Sequence, residues 1–221
     1  AEFLGKDDPE LRAVIRRRFT DEGIVIRERT TVNALETDGD AIVMTVGESG
    51  EQIKGSHLLI AAGRKPNLDG LNLDAAGVAY GATGITVDRQ LRTSNKRIFA
   101  IGDVTGGYQF THMAGYDAGI VLRNILFRLP AKTDNRAVPW VTFTDPELAT
   151  VGQTEAQAMA QGGKGITILR WPFHDNDRAQ AERDTQGLIK VVLDKSGRVL
   201  GAGIAGPRAG ELILPWILAR S

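Results

Sequence analysis

The stretch Arg97-Ile98-Phe99-Ala100-Ile101-Gly102-Asp103 carries the clearest indication of the fold. Its unbroken apolar run is typical of a strand covered on both faces, as in the parallel sheets of α/β proteins. Ligands of such sheets bind at the carboxyl ends of the strands, where Gly102 allows a close backbone approach. Asp103 at that edge is suited to accept hydrogen bonds from sugar hydroxyls. The alternative is that Asp103 merely opens the turn over residues 103–107.

A helix is predicted to follow, from about residue 111 to residue 127. Its N-terminus, at Thr111, points back to the same sheet edge, so its free N–H groups and dipole favour an electron-rich group there. The apolar residues at helical spacing predict its packing face. They are Ala114, Ala118, Val121, Leu122 and Ile125.

A second apolar run, residues 57–62, also lacks alternation and predicts another strand covered on both faces. It ends at Gly63-Arg64-Lys65-Pro66-Asn67. In the functional interpretation Gly63 packs against a cofactor. In the structural interpretation the segment is a plain turn with solvated cations.

The remaining pattern separates into two parts at a polar connector, residues 132–136. Before it we predict a helix starting at Asp8-Pro9-Glu10, a short strand at residues 24–26 and an antiparallel meander. The meander strands are predicted at residues 31–36, 41–46 and 52–54. After the connector we predict an α+β domain with an antiparallel sheet, with strands at residues 140–143, 166–171, 187–193 and 198–205. Its helices are predicted after Thr154 and from about Ala209.

Composition excludes several classes of function. The 221 residues carry 27 basic and 27 acidic side chains, so bulk charge does not favour nucleic acid. The chain has no cysteine, which excludes disulfides and thiolate chemistry within it, and its three histidines show no metal-ligand spacing. Its apolar runs are too short to span a bilayer, and its start does not resemble a signal peptide. We therefore expect no metal, no nucleic acid and no membrane, and a cytoplasmic location.

The motifs gain meaning from their order. The Gly63 and Asp103 segments are followed by Phe143-Thr144-Asp145-Pro146-Glu147, Asp177-Arg178-Ala179 and Gly206-Pro207-Arg208-Ala209-Gly210-Glu211. This ordered set, which covers nearly the whole chain, resembles the pyridine nucleotide-disulfide oxidoreductases. Within that family it looks most similar to the mercuric reductase and dihydrolipoamide dehydrogenase branch.

The resemblance implies a fold, cofactors and site residues. The implied fold is α/β and α+β, with partial Rossmann-like dinucleotide-binding domains followed by an α+β interface domain. Residues 1–65 would end an NAD(P)-binding domain that includes the meander, residues 66–135 would return to the FAD-binding domain, and residues 136–221 would form the dimerisation domain of a homodimer. Asp103, with Gly102, matches the acid that binds the ribityl and phosphate region of FAD. Thr111 matches a position whose backbone lies near the flavin, and Gly63 matches a glycine at the NAD(P)H site.

Departures from the family pattern limit what this chain does alone. Both glycine-rich fingerprints, the redox-active cysteine pair and the His–Glu acid/base pair are absent from the sequence. We therefore expect a fragment of a longer FAD enzyme that passes hydride from NAD(P)H to FAD and then to cysteines outside this chain. No catalytic residue is assigned here, and the isolated piece is expected to be inactive and to bind FAD weakly or not at all. The alternatives are a non-catalytic cofactor-binding or oligomerisation module, and a flavin reductase without a redox disulfide.

Overall fold

The computed structural model describes residues 2–220, which form two units. One unit combines the residues up to Leu58 with those from Asn135 onward, and the other is Leu59–Asp134. The helices are α1 (Pro9–Asp21), α2 (Thr111–Leu126), α3 (Glu155–Gly162), α4 (Asp177–Glu182), α5 (Ala209–Leu212) and α6 (Leu214–Arg220). The strands are β1 (Val32–Asp38), β2 (Ala41–Val46), β3 (Glu51–Gly55), β4 (Tyr80–Gly81), β5 (Gly84–Ile85), β6 (Pro139–Thr142), β7 (Glu147–Gly152), β8 (Thr167–Pro172), β9 (Leu188–Leu193) and β10 (Val199–Gly206).

The first unit is built on a five-stranded antiparallel sheet with the order β6-β7-β10-β9-β8. The antiparallel α+β arrangement confirms the sequence prediction, although β7, which pairs with both β6 and β10, was not predicted. The core lies on β7 and β10, where Leu148, Val151 and Ile204 are fully buried. Separately, β1, β2 and β3 form the predicted antiparallel meander.

Helix α1 packs on this sheet through Leu11 and Ile15, which are fully buried. Its start confirms the predicted cap, because the Asp8 carboxylate accepts the backbone N–H of Glu10 at 3.0 Å. Helix α3 likewise begins at the predicted Thr154, which forms a capping box with Gln157. These local signals worked because a cap is satisfied within one helical turn.

The second unit has little regular structure besides α2, the β4–β5 hairpin and a 3-10 helix at Gly102–Thr105. Its core centres on Val78, Ile85 and Ala100. From sequence, Ile85-Thr86-Val87-Asp88 is also predicted to be a short strand, and the structure confirms only its first residue, which belongs to β5.

The strands predicted at residues 24–26, 57–62 and 98–101 are wrong for residues 2–220 of this chain. None of these segments joins a sheet, and only a single bridge, between Arg92 and Phe99, involves one of them. Leu59 and Ile60 are 88% and 71% exposed. A strand covered on both faces needs hydrogen-bonded neighbours at each edge, and the described residues provide none beside these segments.

Helix α2 confirms the predicted helix, but its predicted packing face is only partly right, since Ala114 lies close to Gly102. Leu122 and Ile125 are more than half exposed, whereas Met113, Asp117 and Ile120 are buried. These three buried residues are four and then three positions apart, which is the spacing of one helix face, but the middle one, Asp117, is an acid. Apolar periodicity alone therefore included two exposed residues and left out the buried acid.

Candidate cofactor site

The Gly102-Asp103 turn forms the centre of the candidate site. Gly102 is buried and adopts φ +65°, in the left-handed region that favours glycine. A Cβ at this position would lie 2.9 Å from the Cβ of Ala114 on α2, closer than packed carbon atoms approach. Gly102 is therefore required both by backbone conformation and by the close approach of α2.

Two side chains hold the peptide groups of Gly102. Its N–H donates to Asp117 Oδ2 at 3.1 Å, and its carbonyl accepts the Thr105 hydroxyl at 2.8 Å. The side chain of Asp103, by contrast, is exposed and accepts no hydrogen bond from any residue in the described range 2–220. The turn is thus held internally while its carboxylate is left available to an outside donor.

The hairpin of β4 and β5 supports the same turn from another side. The backbone at Thr83 and Gly84 lies so close to Thr105 and Gly106 that a Cβ at Gly106 would overlap the Thr83 carbonyl oxygen. Gly106 itself adopts φ +70°. Backbone contact of this kind leaves no room for a side chain at Gly106.

The start of α2 packs against this turn and presents unsatisfied donors. Phe110 precedes the helix without a side-chain cap, and its carbonyl accepts the N–H groups of Met113 and Ala114. The N–H groups of Thr111 and His112 donate to no acceptor within residues 2–220. Both residues are exposed, so these donors and the positive end of the helix dipole face outward.

A row of flat rings lies at the same helix start. Tyr108 stacks on Phe110 with ring centroids 6.0 Å apart, and Phe110 stacks on His112 at 5.3 Å. The Arg64 guanidinium donates to the Gln109 carbonyl at 3.1 Å, which ties the Gly63 segment to this row.

The four residues singled out from sequence are therefore linked by structure. Gly102 and Asp103 lie on the turn that packs against α2, Thr111 is the first residue of α2, and Gly63 adjoins Arg64. Gly63 adopts φ +106°, with open space where a side chain would be. This set fits FAD, because an unpaired acid suits ribityl hydroxyls, and outward N–H groups with flat rings suit the edge and face of a flavin.

Sequence reasoning missed the supporting residues Asp117 and Thr105. The signal for Asp117 was a charged residue inside the inward-facing row of a helix, where an acid is costly unless it has a partner. Thr105 carried no signal of its own, because a hydroxyl in a glycine-rich loop is ordinary.

A second cluster of ionisable groups lies in the first unit and centres on Lys190 of β9. Its ammonium donates to Asp8 at 2.8 Å and to Glu10 and Glu155 at 2.6 Å each, and its side chain is 4% exposed. Arg170 also pairs with Glu10, and its hydrogen bond lowers the pKa of that carboxyl to about 2. The carboxylate hydrogen bonds of Lys190 outweigh its burial and raise the pKa of the ammonium. Every charge here has a partner, so the cluster joins α1 to the sheet and offers no free site.

Other kinds of site find no support in the part of the chain that the structure describes. Residues 2–220 contain no group of three His, Cys, Asp or Glu side chains placed to hold a metal ion. No helix among them is long and apolar enough to cross a membrane.

Comparison with known proteins identifies the family of this chain. Residues 1–118 match the family described as pyridine nucleotide-disulphide oxidoreductase, and residues 138–220 match the dimerisation domain of the same family. The mercuric reductase of Bacillus cereus is 41% identical over 98% of this chain and 35% of its own length. The dihydrolipoyl dehydrogenase of Geobacillus stearothermophilus is 36% identical over 96% of this chain and 46% of its own length.

Among solved structures, the HOCl-induced flavoprotein disulfide reductase RclA of Escherichia coli superposes with a TM-score of 0.91 and 31% identity. The match covers all of this chain and 51% of RclA. The chain thus spans about a third to a half of the length of these relatives. The family uses FAD and NAD(P)H. On the match of its first 118 residues and of its dimerisation domain, this chain belongs to the pyridine nucleotide-disulphide oxidoreductase family.

Proposed function

We propose that this chain is part of an FAD-dependent oxidoreductase that takes hydride from NAD(P)H and reduces a cysteine pair located outside the 221 residues. The observation that carries the proposal is the Gly102-Asp103 turn, whose exposed carboxylate meets no donor among the residues that the structure describes. Bound FAD supplies the electron chemistry, since a flavin accepts hydride and delivers two electrons to a disulfide. The chain itself binds and orients that cofactor.

Each site residue has a proposed part in this binding. Asp103 accepts hydrogen bonds from the ribityl hydroxyls of FAD. Thr111 places an outward N–H beside the ring system, where it stabilises negative charge. Gly63, with no side chain, leaves room for the nicotinamide nucleotide.

The proposed domain limits follow the same scheme. Residues 1–65 end an NAD(P)-binding domain, residues 66–135 return to the FAD domain, and residues 136–221 form the interface domain. The protein is proposed to act as a cytoplasmic homodimer. Support for the dimer comes from the match to a dimerisation domain and from Trp171, Leu214 and Leu218, which are more than half exposed there. A chain without cysteine also suits a reducing compartment.

The test replaces Asp103 in the full-length protein. We expect Asp103→Ala to raise the FAD dissociation constant by about tenfold or more, because a hydrogen bond to a charged group contributes about 1.5–3 kcal/mol. Flavin fluorescence on titration with apoprotein measures the constant. The matched control is Asp69→Ala, which removes another exposed acid of the same unit. Equal FAD affinity in the Asp103 and Asp69 variants would contradict the proposal.

The isolated 221-residue chain provides a second check. We expect it to show no dithiol-linked oxidation of NAD(P)H, because a thiolate is required and the chain has no cysteine. Turnover by the purified chain would contradict this expectation.

A further inference from the structure

Asp117 is an acid buried on a helix whose other buried residues are apolar. Its exposed fraction is 8%, and it lies between Met113 and Ile120 in the inward-facing row of α2. A buried carboxylate is unfavourable unless a donor compensates for its lost hydration. Its donor is the N–H of Gly102, at 3.1 Å, fifteen residues away in the chain. Asp117 therefore acts on the backbone of the candidate site.

The peptide group that Asp117 holds helps to place the backbone of Asp103. A peptide bond is planar, so the chain direction at Gly102 is governed by its two soft dihedrals, and φ is already fixed at +65°. Asp117 holds the N–H side of Gly102, and Thr105 holds its carbonyl side. With both peptide groups fixed, the position of the Asp103 Cα, from which its carboxylate extends, follows.

We propose that Asp117 is a positioning residue for the cofactor, which holds the Gly102 backbone so that the Asp103 carboxylate meets the sugar hydroxyls of FAD. The inference rests on the proposed function of Asp103 and adds to it a residue that does not touch the cofactor. Thr105 is the second member of the same clamp. Preorganisation of this kind improves affinity because the binding group is already ordered before the ligand arrives.

A purely structural role for Asp117 has different consequences. If Asp117 only stabilised α2, any substitution that destabilises α2 equally would weaken FAD binding equally. Ile120→Ala is the matched control, because Ile120 is 2% exposed in the same row of the same helix and has no contact with Gly102 through a hydrogen bond. Its cavity lowers stability without altering the clamp.

The experiment measures FAD dissociation constants in the full-length protein, under conditions where circular dichroism shows every variant to be folded. We expect Asp117→Leu to weaken FAD binding at least tenfold and Asp117→Asn, which keeps an acceptor oxygen, to stay within threefold of the wild type. Ile120→Ala is expected to lower the thermal midpoint as much as Asp117→Leu but to stay within threefold in FAD affinity. With FAD saturating, the KM for NAD(P)H should remain within twofold in all of them.

Thr105→Val keeps the test decisive if Asp117→Leu does not fold. It removes the hydroxyl that holds the Gly102 carbonyl while conserving shape, and we expect a three- to tenfold loss of FAD affinity. If Asp117→Leu or Thr105→Val behaves like Ile120→Ala, the positioning role is wrong. If Asp103→Ala itself leaves FAD affinity unchanged, the proposed function of Asp103 fails instead.

Discussion

The two units of the chain differ in how completely their backbone and charged groups find partners within the same unit. In the first unit, each of the three inner strands of the five-stranded sheet has a neighbour on both sides, and the sheet buries its apolar residues in a shared core. In the second unit, residues 59–62 and 98–101 have the apolar composition of inner strands but join no sheet. The difference shows that an apolar run predicts a strand only where another segment supplies the backbone hydrogen bonds.

Charged groups show the same contrast. The buried ammonium of Lys190 is surrounded by three carboxylates of its own unit. The Asp103 carboxylate of the second unit is exposed and without an internal donor in residues 2–220. Satisfied charges hold a fold together, whereas an unpaired acid on a rigid turn is available for a ligand.

The largest effect is expected from Lys190→Met in the first unit. Removing the ammonium leaves Asp8, whose side chain is 6% exposed, without its cation. Breaking a buried pair from one side typically lowers the free energy of unfolding by about 3–5 kcal/mol. Urea unfolding at pH 7, followed by tryptophan fluorescence, measures the change, because Trp140, Trp171 and Trp216 all lie in this unit.

The control for Lys190 is a surface pair of similar geometry. Lys54 donates to Asp38 at 2.7 Å, but both side chains are more than 60% exposed. We expect Lys54→Met to change the free energy of unfolding by no more than about 1 kcal/mol. If the two substitutions had equal effects, the cluster around Lys190 would not be the support that its burial indicates.

A smaller effect is expected from Gly106→Ala in the second unit. The new methyl group would overlap the Thr83 carbonyl oxygen, and φ +70° is itself unfavourable for alanine. Overpacking and left-handed strain together predict that the free energy of unfolding falls by about 2–4 kcal/mol. Proton NMR of Tyr80, Tyr108 and Tyr116, which are the three tyrosines of the chain and all lie in this unit, reports its unfolding.

Gly70→Ala separates the two contributions to that loss. Gly70 adopts φ +76° but has open space at its Cβ position. We expect Gly70→Ala to lower the free energy of unfolding only by the cost of the left-handed conformation, about 1–2 kcal/mol. A loss at Gly70 as large as that at Gly106 would mean that the hairpin does not press on the Gly102-Asp103 turn.

The sequence predicted the parts of the fold that depend on neighbours along the chain. The Asp8 cap and the meander turns are decided within a few residues, so their signals were sufficient. Strand β7 was missed because its six residues, Glu147–Gly152, lie between a proline and a glycine turn and do not alternate. Its identity as a strand comes from pairing with β6, which is near in sequence, and with β10, which is distant.

The candidate site also contains residues that local sequence identifies and a residue that it does not. Gly102, Asp103 and Thr111 were identifiable because a glycine–acid pair before a helix is a local pattern. Asp117 was not, since its partner is fifteen residues away and its role depends on which face of α2 is buried. Only the folded structure shows which face of α2 is buried and that this face contains an acid.

The smallest effect is expected from Asp7→Asn, which sharpens the contrast inside the first unit. Asp7 is 9% exposed, and burial raises the pKa of its carboxyl despite the Trp140 indole N–H, which donates to it at 3.0 Å. A raised pKa favours the protonated form in the folded state. The stability associated with this group is therefore fully present below its ordinary pKa of 3.8 and is lost as the pH rises through the folded value.

Burial disfavours the charged form of Asp7, whereas asparagine can still accept the indole hydrogen bond without a charge. We expect Asp7→Asn to raise the free energy of unfolding at pH 7 by about 0.5–1 kcal/mol, and the gain to vanish near pH 3. Urea unfolding of both proteins at the two pH values measures this gain. Glu10 also loses its contribution to stability between about pH 4.5 and its folded pKa of about 2. That loss is common to both proteins and cancels in the comparison. Asp21→Asn, on an exposed carboxylate of α1, is expected to change little at either pH. A destabilisation by Asp7→Asn that is equal at pH 3 and pH 7 would mean that Asp7 acts through its hydrogen bond alone, and that its buried charge does not weaken the first unit.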